Sequence, residues 1–450
     1  MGSLDAKTAP HVVIVGGGFG GLSAALALKS APVRITLIDR RNFHLFQPLL
    51  YQVATGWLSP ANIASNLRAV LRYQKNANVL LAEVTGIDTA AQRVLFADGF
   101  CDYDMLVVAS GSQFHYFGNE GWRSLAPGLK SVEDATEIRK RIFSAFENAE
   151  RKTDTAKRAA LLTFAIVGGG PTGVELAGAL GEIAHDILAH DFRTIGPTEA
   201  KIILIEAGGR VLPTYSAELS QKAVDGLKKL GVNVRAGAMV SDVGHDSLVI
   251  KHNGAEERLA CHTVIWAAGV EASALGRMLA AETGAKVDRQ GRVEVEADLS
   301  LAGDKNIFVI GDLANASHQT GKPLAGVAPV AIQEGRYVAR AIAARIEHKP
   351  IAPFHYRNRG SMAIIGRASA VAQIGRWEFS GHLAWLAWLF IHVMELVEFE
   401  NRVLVLVQWG WYYFSRNRAA RLITGQPLTG AAEQNRLDPV EPMHGRRKAV

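Results

Sequence analysis

The stretches His11–Leu28, HVVIVGGGFGGLSAALAL, and Leu161–Leu180, LLTFAIVGGGPTGVELAGAL, repeat one pattern about 150 residues apart. In each, a short apolar run leads into the spacing G-x-G-x-x-G and then into an alanine-rich helical segment. The frame falls on Gly16, Gly18 and Gly21 in the first copy and on Gly168, Gly170 and Gly173 in the second. The first glycine permits a tight turn, the second lets backbone approach a pyrophosphate, and the third lets helix and strand pack closely. The unpaired N–H groups at the helix start then face the anion. Two such units on one chain predict an α/β protein with two Rossmann-like domains and two dinucleotides.

Each unit needs an acid at the end of its second strand to hydrogen-bond ribose hydroxyls. Arg34-ITLIDRR supplies Asp39, and Lys201-IILIEAGGRV supplies Glu206 after an extended helix. An acid repels a 2′-phosphate, so Glu206 favours NADH over NADPH, with Arg210 nearby as the opposing feature. A further strand, Asn306-IFVIGDLA, ends in Gly311-Asp312, where a carboxylate can accept a hydrogen bond from a ribityl hydroxyl. Met105-LVVASGS and Thr263-VIWAAGV run into Gly111 and Gly269, where backbone can lie against a cofactor. Together these segments resemble the two-dinucleotide-binding flavoproteins, in which FAD takes the N-terminal fingerprint and the nicotinamide cofactor the inserted one.

The 450-residue length suits two or three domains, and 48% hydrophobic with 20% charged residues describes a globular chain. The net charge of +6 is mildly basic, but no basic run interleaved with aromatics appears, which argues against nucleic acid. Cys101 and Cys261 are the only cysteines and form no C-x-x-C pair, which argues against a redox disulfide beside the flavin. No metal-ligand spacing is present, so no metal is expected. MGSLDAKTAP carries neither an apolar signal core nor an arginine-rich transit pattern, which gives a cytosolic expectation.

The expected division is residues 1–117 and 300–345 as the FAD domain, 118–299 as an inserted NADH domain, 346–425 as a membrane-associating region, and 426–450 as a disordered tail. Ser131–Arg158 reads as a solvated connection. Five of the eight tryptophans, Trp377, Trp385, Trp388, Trp409 and Trp411, cluster toward the C-terminus with the runs LAWLAWLFI and VLVLVQWGWYYF. Neither run is long enough to cross a bilayer. The reading is two amphipathic helices at a membrane interface, followed by Arg416, Arg418 and Arg421. The competing reading is a buried layer or a dimer interface.

Over residues 10–425 the chain resembles the type II NADH:quinone oxidoreductases. The likeness rests on the paired fingerprints, Asn42-FHLFQPLLYQVATG, GGGPTGVELAG, TVIWAAGV, Gly360-SMAIIGRA and the tryptophan-rich end. The resemblance implies non-covalent FAD, NADH as substrate, and reduction of a membrane quinone in the respiratory chain without proton pumping. It also implies a homodimer, peripheral on the cytoplasmic face of a bacterial inner membrane. By position, Gly16, Gly18, Gly21, Asp39, Gly111, Gly311 and Asp312 would hold FAD, and Gly168, Gly170, Gly173, Glu206 and Gly269 would hold NADH. Glu175 matches a family glutamate between nicotinamide and flavin, proposed to assist proton transfer; a helix-dipole partner that stays ionised is the plainer reading.

The family's quinone motif reads A-Q-x-A-x-Q-x-G. Here Ala328, Ala331, Gln333 and Gly335 match, while Pro329 stands where the first glutamine is expected. Proline suits a first helical turn, so backbone is kept and one amide is lost, leaving Gln333 to meet a quinone carbonyl. Glu395, Glu398 and Glu400 also depart from a lipid-facing pattern unless they sit at a turn in water. A sulfide:quinone oxidoreductase, a soluble ferredoxin-type reductase and an NADH-sensing flavoprotein with slow turnover are the alternatives.

Overall fold

A computed structural model describes residues 9–415 and 420–424. Its first sheet runs in the order Ser300–Leu301, Asp304–Val309, Met105–Val108, His11–Val15, Arg34–Asp39, Ala77–Leu81. All neighbours are parallel except the first pair. The central strands are buried, His11 at one end apart, as a sheet covered on both faces requires. The second sheet, in the order Val232–Ala236, Lys201–Glu206, Thr163–Val167, Thr263–Trp266, is wholly parallel and repeats the inner part of the first. Three-stranded antiparallel sheets flank both units, at Val84–Asp102 and Ala238–Ala260.

The units join through a short antiparallel ribbon, Ser112–Phe114 against Val270–Ala272. The boundary expected at residue 300 therefore falls too late. Ala272, Leu279 and Val293 share a buried cluster with Val13, Val15, Leu106 and Ile307 of the first sheet, and Val293–Glu294 pairs with Ala314–Asn315. The segment 272–299 belongs to the first unit; its polar, turn-rich sequence carries no mark of which sheet it returns to. The connection expected to be solvated is also corrected. Helix Val132–Glu150 is capped by Ser131, and buries Ile138, Ile142, Phe143 and Phe146 along one face beneath a charged one.

The C-terminal region is more than two helices. Ser361–Gly366, Ser369–Ile374 and Trp377–Gly381 form an antiparallel sheet laid on helix Pro171–Glu182 of the second unit. Gly178 makes that approach possible, because a Cβ there would lie 1.7 Å from the Ile365 carbonyl oxygen. Helices His382–Glu395 and Phe399–Ser415 follow. One face turns inward with Ala384, Trp388, Val405 and Trp409 buried, while Leu383, Phe390, Phe399, Val407 and Phe414 are exposed. Trp377 belongs to the sheet, not to a helix, and is exposed. Glu395, Glu398 and Glu400 do sit around the turn between the helices, the first and last of them exposed. Among the described residues, no helix is long and apolar enough to cross a membrane. Arg416, Arg418 and the 426–450 tail lie outside the described residues, and Arg421 forms an ion pair with Asp191.

Candidate active site

The first glycine loop leaves the strand His11–Val15 at Gly16, whose φ of +105° disfavours any side chain. A Cβ on Gly16 would lie 2.4 Å from the Ala109 carbonyl oxygen, and one on Gly21 would lie 1.9 Å from the Gly16 carbonyl oxygen. Gly18 instead opens onto free space. It is the cap of helix Phe19–Ala27, and no side chain satisfies the helix's first N–H groups, which leaves them for an anion. Asp39 straps the loop: Gly17 N–H donates to Oδ2 at 2.6 Å, and Arg41 N–H to Oδ1 at 2.7 Å. His44, buried below, hydrogen-bonds the Gly17 carbonyl through Nδ1.

The second loop repeats this. Gly168 has φ +111°, a Cβ on Gly173 would lie 1.8 Å from the Gly168 carbonyl oxygen, and Gly170 is open. Glu206 accepts N–H bonds from Gly169 and Gly208, each at 2.6 Å. The Arg210 guanidinium is turned to the Pro213 carbonyl. Both sets of expected cofactor residues thus gather at the carboxyl ends of their sheets, where open α/β folds bind nucleotides. Gly269 extends the second set with φ +65°. The glycine cradles and bare helix starts fit the two pyrophosphates.

Beside the first cradle, Gly111 and Gly311 both have φ +71°. Asp312 accepts from Ser112 Oγ at 2.5 Å, and Lys130 Nζ donates to the same hydroxyl at 2.7 Å. Glu334, on helix Ala328–Ile346, accepts the Gly311 N–H at 2.5 Å. Burial pushes its carboxyl up to about 8, opposed by that hydrogen bond and assisted by Asp312. The sequence reading missed Lys130, Ser112 and Glu334. Only Glu334 left a signal, an acid on the helix's apolar face between Val330 and Val338.

Gln333 is not poised as expected. Its Nε2 donates to the Arg357 carbonyl at 3.0 Å and its Oε1 accepts the Arg357 N–H at 3.1 Å, so the amide clamps a neighbouring segment. Nothing in the local spacing shows this, because the partner lies 24 residues on. Pro329 does occupy the first turn of its helix, and Ala331 lies 3.5 Å from where a Gly311 Cβ would be.

Glu175 lines a pocket shared with Tyr51, Gln52, Glu182, Arg367, Trp388 and Trp409, among others, and not with Ala328, Pro329, Ala331 or Gln333. Of the two readings of Glu175, burial favours the one in which it holds a proton over the helix-dipole anion. Desolvation pushes its carboxyl up to about 8, against the opposing Ile364 backbone hydrogen bond. Burial outweighs the dipole here because dipole effects amount to about 1 kcal/mol or less, whereas burial moves a carboxyl by several pH units. Trp409 Nε1 donates to Gln52 Oε1 at 2.8 Å, and Gln52 Nε2 to the Tyr51 hydroxyl at 2.9 Å. This chain ties the C-terminal helices to the 42–56 segment.

The profile of the pyridine nucleotide-disulphide oxidoreductase family matches residues 10–335, and that of the NDH2 C-terminal domain matches residues 358–417. A type II NADH:quinone oxidoreductase of Mycobacterium tuberculosis is 49% identical over 93% of this chain and 90% of its own length. Another, of Staphylococcus saprophyticus, is 30% identical over 84% and 93%. The solved structure of NDH2 from Plasmodium falciparum in complex with NADH shares the fold, with TM-score 0.83 at 21% identity, over 93% of this chain and all of that one.

Proposed function

Since this chain belongs to the type II NADH:quinone oxidoreductases, we propose that its two cradles hold FAD and NADH and that a quinone is reduced beside Glu175. FAD, held non-covalently, supplies the two-electron chemistry that couples NADH oxidation to quinone reduction. The protein positions the reactants and manages protons. Gly16, Gly18, Gly21 and Asp39 seat the adenosine diphosphate half of FAD, with Gly111, Gly311 and Asp312 along its ribityl side. Gly168, Gly170, Gly173, Glu206 and Gly269 seat NADH. Glu175 lies in the first turns of the helix that starts at the NADH cradle, so a proton held there is close to the reacting centre. Gln333, on the helix that also carries Ala328, Pro329 and Ala331, fixes Arg357, and one amide hydrogen remains for a quinone carbonyl.

The observation that carries this reading is the placement of Glu175 in an indole-rich cavity between the NADH domain and the C-terminal helices. The test is NADH oxidation by FAD-loaded protein with a short-chain quinone, run beside NADPH and the Gln333→Ala variant. Sustained turnover that prefers NADH and weakens in the variant supports it. A single stoichiometric flavin reduction, with no quinone-dependent reoxidation, would point to the sensor reading. Sulfide chemistry is not favoured: Cys261 is buried against the Thr163 and Thr263 carbonyls, and Cys101 lies on an antiparallel strand beside the first sheet.

Attachment is proposed to be peripheral, through the exposed apolar face of the last two helices, at the cytoplasmic face of the membrane. Phe390 is 68% and Phe414 84% exposed. Burying each in the acyl boundary is worth roughly 1.5–3 kcal/mol. The double variant Phe390→Glu/Phe414→Glu is expected to weaken liposome co-sedimentation by at least about tenfold, with soluble-quinone turnover retained. Unchanged sedimentation would move the contact elsewhere. The family resemblance adds a homodimer as the expected assembly.

A further inference from the structure

Helix Pro171–Glu182 carries a second carboxylate that the proposed reaction has not used. Glu182 stands seven residues after Glu175, two turns and about 10.5 Å along the axis. The two therefore share a face, with Ala179 between them, and all three line the same cavity. Glu182 is 5% exposed and lies at the end of the helix away from the nucleotide cradle.

The strand Ser361–Gly366 crosses this face at the contact that Gly178 permits. Its Ile364 backbone lies against the Glu175 carboxyl and lowers its pKa against the burial, and the N–H of Arg367, one residue past the strand, donates to Glu182. Three strand residues span about 10 Å, the length of two helical turns. The sheet register slips at a bulge between Ile364 and Gly366, where one residue is left out of the ladder. One strand thus fixes both acids along one cavity wall. Among the described residues, the other ionisable groups lining this pocket are Tyr51, Tyr413 and Arg367, and beside Glu175 lies Tyr215, whose hydroxyl is pushed up by burial and by Glu175. The Arg367 guanidinium lies over the Tyr413 ring at 4.4 Å.

We propose that Glu182 is the entry residue of a proton relay that feeds Glu175 through this cavity during quinone reduction. The inference rests on the quinone reading above. NADH, one proton and a quinone yield NAD⁺ and a quinol. NADH supplies two electrons and one proton's worth of hydrogen as hydride, and the quinone takes up two electrons and two protons. One proton per turnover must come from water. The two carboxyls are too far apart for a single hydrogen bond, so transfer runs through water in the cavity, with Gln52 and the Tyr51 hydroxyl as polar stations. Arg367, half-buried beside Glu182, marks the solvent end.

Stopped-flow measurement on FAD-loaded Glu182→Gln separates the two half-reactions. Flavin reduction by NADH should stay within about twofold of the parent. Reoxidation by a short-chain quinone should slow about tenfold near pH 8, below the full loss of a general acid. Its solvent isotope effect should rise, and formate should restore part of the rate. Parent-like reoxidation with an unchanged pH profile and isotope effect would overturn the relay. Equal slowing of both half-reactions without those signatures would overturn it as well, as a structural effect. If Glu182→Gln does not retain FAD, Glu182→Asp carries the test: the acid is kept but withdrawn, and an unchanged isotope effect overturns the proposal. A parent protein that quinone fails to reoxidise removes the quinone reading, and the relay with it, before any variant is made.

Discussion

Gly21→Ala is expected to purify without FAD and to show no NADH oxidation. The methyl carbon would lie 1.9 Å from the Gly16 carbonyl oxygen, which is backbone at the tightest point of the loop and has no rotamer to yield. Relief requires the helix Phe19–Ala27 to move off the strand His11–Val15, and that displaces the N–H groups that face the pyrophosphate. The flavin spectrum reads the result directly. Gly173→Ala, where the corresponding contact is 1.8 Å to the Gly168 carbonyl oxygen, should keep the flavin spectrum and slow flavin reduction by NADH by about 10²-fold or more. A Gly21→Ala protein that retains FAD, or a Gly173→Ala protein reduced at parent rates, would show that these loops do not seat the nucleotides.

Glu175→Gln is expected to leave flavin reduction by NADH near parent rates while lowering quinone-dependent reoxidation by about 10²-fold. The sign of the pH dependence follows from burial. With its carboxyl raised to about 8 by desolvation, Glu175 holds a proton at neutral pH and loses it as pH rises through about 8. Parent reoxidation should therefore fall above that pH, and the glutamine variant should lack this limb. The same shift affects folding: the native state binds more protons than the unfolded chain between the ordinary carboxylate value and about 8, so stability declines as pH rises across that window. A parent profile flat through pH 8 would remove Glu175 from proton delivery.

Both glycine loops were legible in the sequence because they are local: strand, glycine spacing and helix start follow one another within about twenty residues. Asp39 and Glu206 were legible for the same reason. What sequence could not show is where segments return in space. The amide of Gln333 is held by Arg357, and the two readings of Glu175 could not be separated because the wall that desolvates it comes from Ile364 and the C-terminal tryptophans. Helix Val132–Glu150 looked solvated because its charged residues outnumber the stripe of Ile138, Ile142 and Phe146 that it buries. The pairing of Glu175 with Glu182 was available as helical periodicity, but its meaning depends on a strand that starts at Ser361.

The ribbon of Ser112–Phe114 against Val270–Ala272 has a consequence for how such a chain can be assembled. The inserted unit departs and returns through paired residues, Ser112 opposite Ala272, so its two ends lie only about 5 Å apart. A whole domain with adjacent ends can be spliced into a host loop, or lifted out, without threading the chain or tearing the host sheet. The inserted unit is in this sense a cartridge, built on the same strand order as its host and plugged in at one seam. The C-terminal sheet that clasps Gly178 is the latch that holds the cartridge shut, so an exchange of this module has to preserve that latch as well as the seam.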